Sequence, residues 1–358
     1  MKIAVLAVQG AFIEHEKMLE SLGAETIELR QKSDLEQDFD GIVLPGGEST
    51  VQGKLLKELD MYDALKEKIE QTQEIYGVKP VDCFISKIDG TRKYLFELYD
   101  GNIIESVLMK YKHGNSVCIS SQAGCRMGCK FCASTLGGLD RNLTPSEMLS
   151  QIYYIQRDTE ERVSNVVMMG TGEPMDNYDN VLRFLELITS EDGLNISQRN
   201  ITISTCGIVP KIKELAQKHL QITLAISLHS PNDEMRRGLM PIAMKYSIDE
   251  LLDACHYYFK ETNRRMTFEY SLVAGVNDQP VHAEELAGRL KGFPCHVNLI
   301  PVNPIKERDF KQSMPKSVME FKKILEKNRV NVTIRREMGA DINAACGQLR
   351  RKKLQSRL

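Results

Sequence analysis

Three cysteines in the run GCRMGCKFCAS, Cys125, Cys129 and Cys132, stand at the spacing CxxxCxxC. Soft thiolates this close on one loop can hold three corners of a 4Fe-4S cube and leave the fourth iron without a protein ligand. An iron left open in this way can be chelated by the amino and carboxylate groups of S-adenosylmethionine (SAM), and an electron from the cluster then cleaves the sulfonium to a 5′-deoxyadenosyl radical. A zinc site is the alternative, but structural zinc normally takes four ligands in two spaced pairs, and the sequence has no partner CxxC. Further along, GTGEP at residues 170–174 joins glycines, which let backbone approach a ligand closely, to Glu173, whose carboxylate can accept from an amino group. Alone it is an ordinary turn between strand and helix; behind the cysteine run it gains meaning.

Such residues need a scaffold, and the chain from Ser116 onward supplies one. Apolar strands alternate with amphipathic helices about six times: SVCISSQ, NVVMMG, NITIST, ITLAISLH, TFEYSLVAG and HVNLIPV, with helical stretches such as PSEMLSQIYYIQRD and IDELLDACHYYF between them. Successive βα units with short connections give a parallel sheet with helices outside, and six fit a partial (β/α)6 barrel better than a closed one of eight. Sites in such barrels lie at the carboxyl ends of the strands. The cysteine trio follows the first strand, Gly170 to Pro174 the second, Ser204 the third, Ser227 to His229 the fourth and Asn303 the sixth.

The front is different. IAVLAV at residues 3–8, Thr26 to Leu29 and Gly41 to Leu44 read as strands, with a helix from Glu14 to Leu22. MKIAVLAVQGAFIEHEKMLESLGAE and LPGGEST resemble the amino-terminal part of the glutaminase subunit of pyridoxal phosphate synthase, over roughly the first 70 residues. The resemblance implies an incomplete flavodoxin-like α/β fragment in which Gly46, Gly47, Glu48 and Ser49 would help bind glutamine. The cysteine that the next strand should deliver on a sharp turn does not arrive, and Cys83 in VDCFIS has no small-residue elbow around it. No glutaminase activity is expected. The domain reading is therefore 1–71 for this fragment, 72–115 for a linker and remnant of an accessory region, and 116–358 for the barrel.

The ordered set ISSQAGCRMGCKFCASTLGG, GTGEPMDNYDNV, NITISTCGIVPKI, LAISLHSPNDEMR, FEYSLVAGVND, HVNLIPVNP and RREMGADINAACGQL is similar to the RlmN family of dual-specificity RNA methyltransferases, from about Ser86 to Leu354. The resemblance implies a radical SAM enzyme that methylates carbon 2 of adenosine in 23S ribosomal RNA and transfer RNA. It implies cluster ligation by Cys125, Cys129 and Cys132, and SAM contacts from Gly172, Glu173, Ser204, Ser227, Leu228, His229 and Asn303. It makes Cys346 the cysteine that is itself methylated, Cys118 its thiol partner and Glu105 the proton acceptor. Carbon 2 of adenine is electron-poor, so polar attack on the SAM methyl is closed and a radical route is required. In that route the S-methyl carbon of Cys346 adds to the base, Glu105 takes the carbon 2 proton, and Cys118 attacks Cys346 to free the product with a transient disulfide. Thr171 stands where the family usually has methionine, and Ala340 and Asn343 vary its final motif. The family's amino-terminal accessory domain is for the most part replaced by the glutaminase-like fragment.

Composition agrees with this outline. The 358 residues are 42% hydrophobic, with no apolar run of membrane-spanning length and no secretory leader in MKIAVLAVQG, so a cytoplasmic protein is expected. Nine cysteines in a reducing compartment point to metal or redox chemistry. Residues 1–70 hold 8 Lys/Arg against 15 Asp/Glu, and the remainder 39 against 34, ending in the basic QLRRKKLQSRL that suits a polyanionic partner. Expected partners are the two RNAs, a cytosolic electron donor and a thiol reductant. The competing readings are a carbon 8 adenosine methyltransferase of the Cfr type, a glutamine amidotransferase subunit, and an inactive fusion.

Overall fold

The computed structural model describes residues 1–46, 49–72, 77–191, 193–304 and 308–342. Cys346, Gly47, Glu48, Asn343 and the basic tail from Arg350 to Arg357 lie outside the described residues. Residues 1–75 and 76–358 form two compact units.

In the first unit, β1 (Lys2–Leu6) runs between β2 (Glu25–Leu29) and β3 (Gly41–Val43), parallel to both. The continuous apolar run of β1 suits a central parallel strand. Its Ala4 and Leu6 pack with Leu29, Leu35, Leu56, Met61 and Leu65, the last three carried by α2 (Ser49–Glu58), the turn after it and α3 (Tyr62–Thr72). This core is small. Helix α1 (Phe12–Ser21) buries no side chain and leaves Ile13 and Met18 exposed. The loops bearing the glutaminase-like motifs do meet: Gly10, at φ +90°, lies so close to Gly46 that an added Cβ would stand 2.5 Å from its carbonyl oxygen.

The second unit is built on one ten-stranded sheet. The stretch expected to be a connector is regular structure: β4 (Lys79–Ile85), β5 (Arg92–Glu97) and β6 (Ile103–Tyr111) form an antiparallel meander that joins β7 (Gly114–Cys118). The Asp100–Gly101 turn, with Gly101 at φ +81°, makes the β5–β6 hairpin, and Gly114 at φ +119° the next. These strands bury Tyr94, Phe96, Ile104 and Leu108 in the same core as the barrel helices, which is why the segment is part of the barrel unit and not a tether.

From β7 the sheet is parallel. A two-stranded ribbon of β8 (Gln122–Gly124) and β9 (Leu139–Asn142) closes the cysteine loop, and the series continues with α4 (Pro145–Thr159), β10 (Val163–Met168), α5 (Tyr178–Thr189), β11 (Ile201–Thr205), α6 (Val209–Ala216), β12 (Thr223–Ser227), α7 (Asp233–Leu239), α8 (Ile248–Thr262), β13 (Met266–Leu272), α9 (Pro280–Arg289), β14 (Cys295–Pro301), α10 (Pro315–Lys327) and β15 (Asn331–Ile334). The order β15-β14-β13-β12-β11-β10-β7 places each strand beside the one before it, an open partial barrel with a seventh parallel strand, β15, beyond the six expected. Helices start where the sequence caps them: Thr144 and Glu147 form a capping box ahead of α4 with Pro145 at its first position, and Ser247 with Glu250 does the same for α8. Met148, Ile152 and Ile155 of α4 and Val181, Phe184, Leu185 and Ile188 of α5 fall on one face each and fill the core against Val166, Met168, Ile201 and Ile203. Among the described residues no helix is long and apolar enough to cross a membrane.

Candidate active site

At the carboxyl ends of the parallel strands lies a cavity of about 260 Å3. Cys125, Cys129 and Cys132 edge it, together with Gly172, Glu173, Ser204, Ser227, His229 and Asn303. Of the cofactor-binding residues expected from the sequence, Leu228 alone is not brought there: its side chain is in the hydrophobic core, its N–H donates to the Glu269 carbonyl and its own carbonyl accepts from Arg236.

The cysteine loop is held by its own backbone. Cys125 N–H donates to Gly138 O (2.7 Å), Thr135 Oγ1 donates to the carbonyls of Cys129 and Cys132, and Gly128 makes its turn at φ +71°. Among the described residues no three His, Cys, Asp or Glu side chains close up on a single-ion site. What the loop offers is three sulfurs around a void. Burial pushes the Cys125 thiol up to about 12 and Cys129 higher still, so a group that takes these sulfurs as thiolates must bring positive charge with it.

The GTGEP turn explains its composition. A Cβ on Gly170 would stand 2.5 Å from Ile119 O, and one on Gly172 2.6 Å from the Gln122 side chain, so both glycines are required by the close approach of this turn to the end of the first parallel strand. Thr171 N–H donates to Ser120 Oγ, and the Thr171 carbonyl accepts from Ser121 and Gln122 N–H. Glu173 is buried; its carboxylate accepts from Cys206 N–H (2.7 Å) and Met175 N–H (3.0 Å), yet burial still raises its pKa. His229, at φ +56°, accepts from Ser271 N–H at Nδ1 (2.9 Å), which leaves the ring proton on Nε2. Burial, helped by the charge of Arg236, lowers its pKa to about 3, so it is a neutral donor.

Two charged cavity residues were not anticipated. Glu269 sits in the middle of the apolar strand β13; Asn298 donates to its Oε1 (2.9 Å), while its Oε2 is buried without a partner. Arg335 follows the unexpected seventh strand, whose end it shares with the cavity wall. A lone carboxylate inside FEYSL was the available signal for the first. The short strand NVTI, ending directly in Arg335, was the signal for the second.

Glu105 and Cys118 lie apart from the cavity lining, Glu105 on the antiparallel strand β6 and Cys118 at the end of β7, where the antiparallel and parallel parts of the sheet join. Register puts Lys93, Val107 and Cys118 in a row across β5, β6 and β7, with Glu105 two residues from Val107 and therefore on the same face. Lys93 Nζ is 2.9 Å from Glu105 Oε2, and both side chains are almost wholly buried. Cys118 packs with Val107 and Met109 against Met169, Met338 and Ile342. The segment that leads toward Cys346 is fastened to the β4–β5 loop: Asp341 accepts from Ser86 Oγ (2.6 Å) and Lys87 N–H (2.9 Å), and Gly339 N–H donates to Asp89 (2.9 Å). Cys83 lies exposed in β4 opposite Tyr94, with no nucleophile elbow.

Residues 119–287 match the model of the radical SAM superfamily, and residues 5–98 match that of the SNO glutamine amidotransferase family. The latter match runs into β4 and β5, past the end of the first compact unit. The fold and the cysteine-edged cavity thus belong to the radical SAM class. A probable dual-specificity RNA methyltransferase RlmN from Lachnospira eligens is 66% identical over 293 residues, 82% of this chain and 84% of its own. One from Lachnoclostridium phytofermentans is 64% identical over 287 residues, 80% and 81% of the two chains. A crystal structure of a radical SAM methyltransferase from Sphaerobacter thermophilus superposes with a TM-score of 0.79 at 37% identity, covering 96% of this chain and 98% of that one. The chain belongs to the RlmN family of radical SAM RNA methyltransferases. The Lachnospira and Lachnoclostridium relatives bear that family's name and not that of the carbon 8 alternative, which is not favoured.

Proposed function

We propose that this chain methylates carbon 2 of adenosine in 23S ribosomal RNA and transfer RNA, in the cytoplasm, with a 4Fe-4S cluster on Cys125, Cys129 and Cys132 and SAM beside it. The observation that carries the reading is the pairing of two surfaces: a cavity edged by three thiols, and a sheet face that holds Glu105 and Cys118 together beside Met338 and Ile342. Cys346 follows Ile342 by four residues in sequence.

Three sulfurs at one void, the unpartnered Glu269 Oε2 and the buried Glu173 carboxylate fit a ligand that brings positive charge and amino or hydroxyl donors. When bound, the cluster and SAM supply one-electron cleavage of the sulfonium. The chain's own residues do the rest. Gly172 lets the backbone approach SAM, Glu173 accepts from its amino group, and Ser204, Ser227, His229 Nε2–H and Asn303 orient it, while Leu228 supports the wall from the core behind them. Cys346 carries the methyl group, Glu105 accepts the carbon 2 proton with Lys93 holding its carboxylate in place, and Cys118 releases the product by attack on Cys346. A cytosolic electron donor and a thiol reductant complete the cycle.

Anaerobic reconstitution with both RNAs, followed by mass spectrometry of the nucleosides, tests the site of methylation. The expected product is 2-methyladenosine; 8-methyladenosine would place the chain with the carbon 8 enzymes. Cys118→Ala should accumulate protein covalently joined to RNA, visible on denaturing gels, and Cys346→Ala should accumulate none. Normal turnover by the Cys118 variant would remove the role given to it.

A further inference from the structure

Arg236 is the largest fully buried side chain among the described residues, and it closes the LHSPNDEMR motif, whose His229 has a role above but whose arginine has none. Helix α7 carries it inward, with Asn232 capping the helix by accepting from Met235 N–H (3.0 Å). The guanidinium donates to three carbonyls: Nη2 to Cys206 (2.8 Å) and Ser227 (3.3 Å), and Nε to Leu228 (3.2 Å). Its Nη1 is buried with no partner, and among the described residues it forms no ion pair.

The surroundings face the cysteine loop. Lys130 N–H donates to Leu239 O at the end of the same helix (2.9 Å), and a Cβ on Gly128 would touch Pro241 just beyond it. Cys129, Cys206, Leu239 and Met240 form one packed group. The charge of Arg236 is felt at Cys129 and at His229, both on the cavity wall. A permanently charged group held in a dry interior against carbonyl dipoles alone is costly unless an anion offsets it. Three thiolates on an iron–sulfur cube make an anion at that place, and one-electron reduction makes it more negative.

We infer that Arg236 is an electrostatic positioning residue for the cluster: fixed by three carbonyls behind the cysteine loop, it favours the reduced state and raises the reduction potential. The inference rests on the proposal that Cys125, Cys129 and Cys132 hold the cluster. The electron comes from the low-potential cytosolic donor already named, and Arg236 itself neither gains nor loses one.

The test is the midpoint potential of the anaerobically reconstituted full chain, followed by electron paramagnetic resonance during redox titration without SAM or RNA. Arg236→Gln, which keeps donors but loses the charge, should be at least tenfold less reduced at a fixed solution potential, a fall of about 59 mV for one electron. Arg236→Lys, which keeps the charge, should stay within about threefold of the parent. A Gln variant with full iron and the parent potential overturns the inference while leaving the cluster assignment intact; a parent chain that takes up no iron overturns both. Should the Gln variant fail to fold, Asp233→Asn decides. Asp233 is half-buried, its charge acts on Arg236, and asparagine retains the acceptor for Ile248 N–H. Its potential should rise, and an unchanged or lower value overturns the inference.

Discussion

The two units begin alike, with parallel strands, helices between them and glycine-bearing loops at the strand ends, but among the described residues only the second gathers a site. In the first, Gly10 and Gly46 still meet closely, yet among the described residues β1 has just two neighbours and the main packed cluster holds seven buried side chains. In the second, six successive strand ends after the first each carry a wall of the cavity or the turn behind it, from Gly172 after β10 to Arg335 after β15. A signature loop does not make a site by itself. The site comes from strands that continue, because each adds one side chain at a fixed spacing to a common edge.

Removing residues 1–75 should therefore have the largest effect on one unit and the least on the other. Iron binding and SAM cleavage by residues 76–358 should match the full chain, and limited proteolysis should cut N-terminal to Lys79, where the sheet of the second unit begins. Loss of solubility or of iron on deletion would break the comparison. Next, equal lesions should have unequal consequences. Leu6→Ala costs about 2–5 kcal/mol, comparable with the whole margin of a small fragment, and should unfold the first unit; Phe268→Ala costs about 3–5 kcal/mol but should lower the Tm of the second without abolishing it. Amide exchange resolved by unit would show both.

Replacing Cys125, Cys129 and Cys132 together by Ala should remove all of the roughly four irons per chain and all SAM cleavage, with the circular dichroism of both units unchanged. Retained iron would sink the ligand assignment. The smallest expected effect is a pH dependence in the loop around Asp341. Burial pulls the Asp89 carboxyl up, but donors from Gly339, Thr91 and Ser86 hold it at about 2, against an ordinary 3.8. Ser86 and Lys87 hold Asp341 low as well. Carboxyls with depressed values contribute their stability above the ordinary pKa and lose it as pH falls through the folded one. Between about pH 3.8 and 2, amide exchange at Gly339 and Lys87 should quicken while that of β11 and β12 stays slow.

Much of this was legible in the sequence, and the failures have physical causes. CxxxCxxC and GTGEP are short-range patterns whose geometry their glycines enforce locally, so they survive translation into structure. The strands from NVVMMG to HVNLIPV are apolar runs at regular spacing and read directly. NVTI escaped because it is four residues long and half exposed at the sheet edge. The meander of residues 79–111 carries its own hairpin signal, Asp100–Gly101 between alternating apolar runs, but its strands lie outside the repeating βα pattern and outside the resemblance's motifs. Glu269 is marked in FEYSL only as a charge in an apolar strand, and Arg236 in the polar run SPNDEMR is not marked at all; neither pattern shows the carbonyls or the void that the side chain meets. Leu228 follows the last residue of β12 and its side chain goes to the core, while Ser227 before it and His229 after it, at φ +56°, line the cavity; no motif marks which of the three turns inward.

The bonds between Ser86 and Asp341 join residues 255 apart in sequence. Contacts of that span form late, since the closure entropy of the intervening chain must be overcome first. During synthesis the parallel sheet can be complete while the loop after Ile85 still lacks its counterpart. Asp341 emerges only after every strand of the sheet has been made, and the approach to Cys346 is fastened after them. A nascent chain that stalls short of it carries the cavity residues but not the closed face, and so cannot begin a reaction that it has no means to finish.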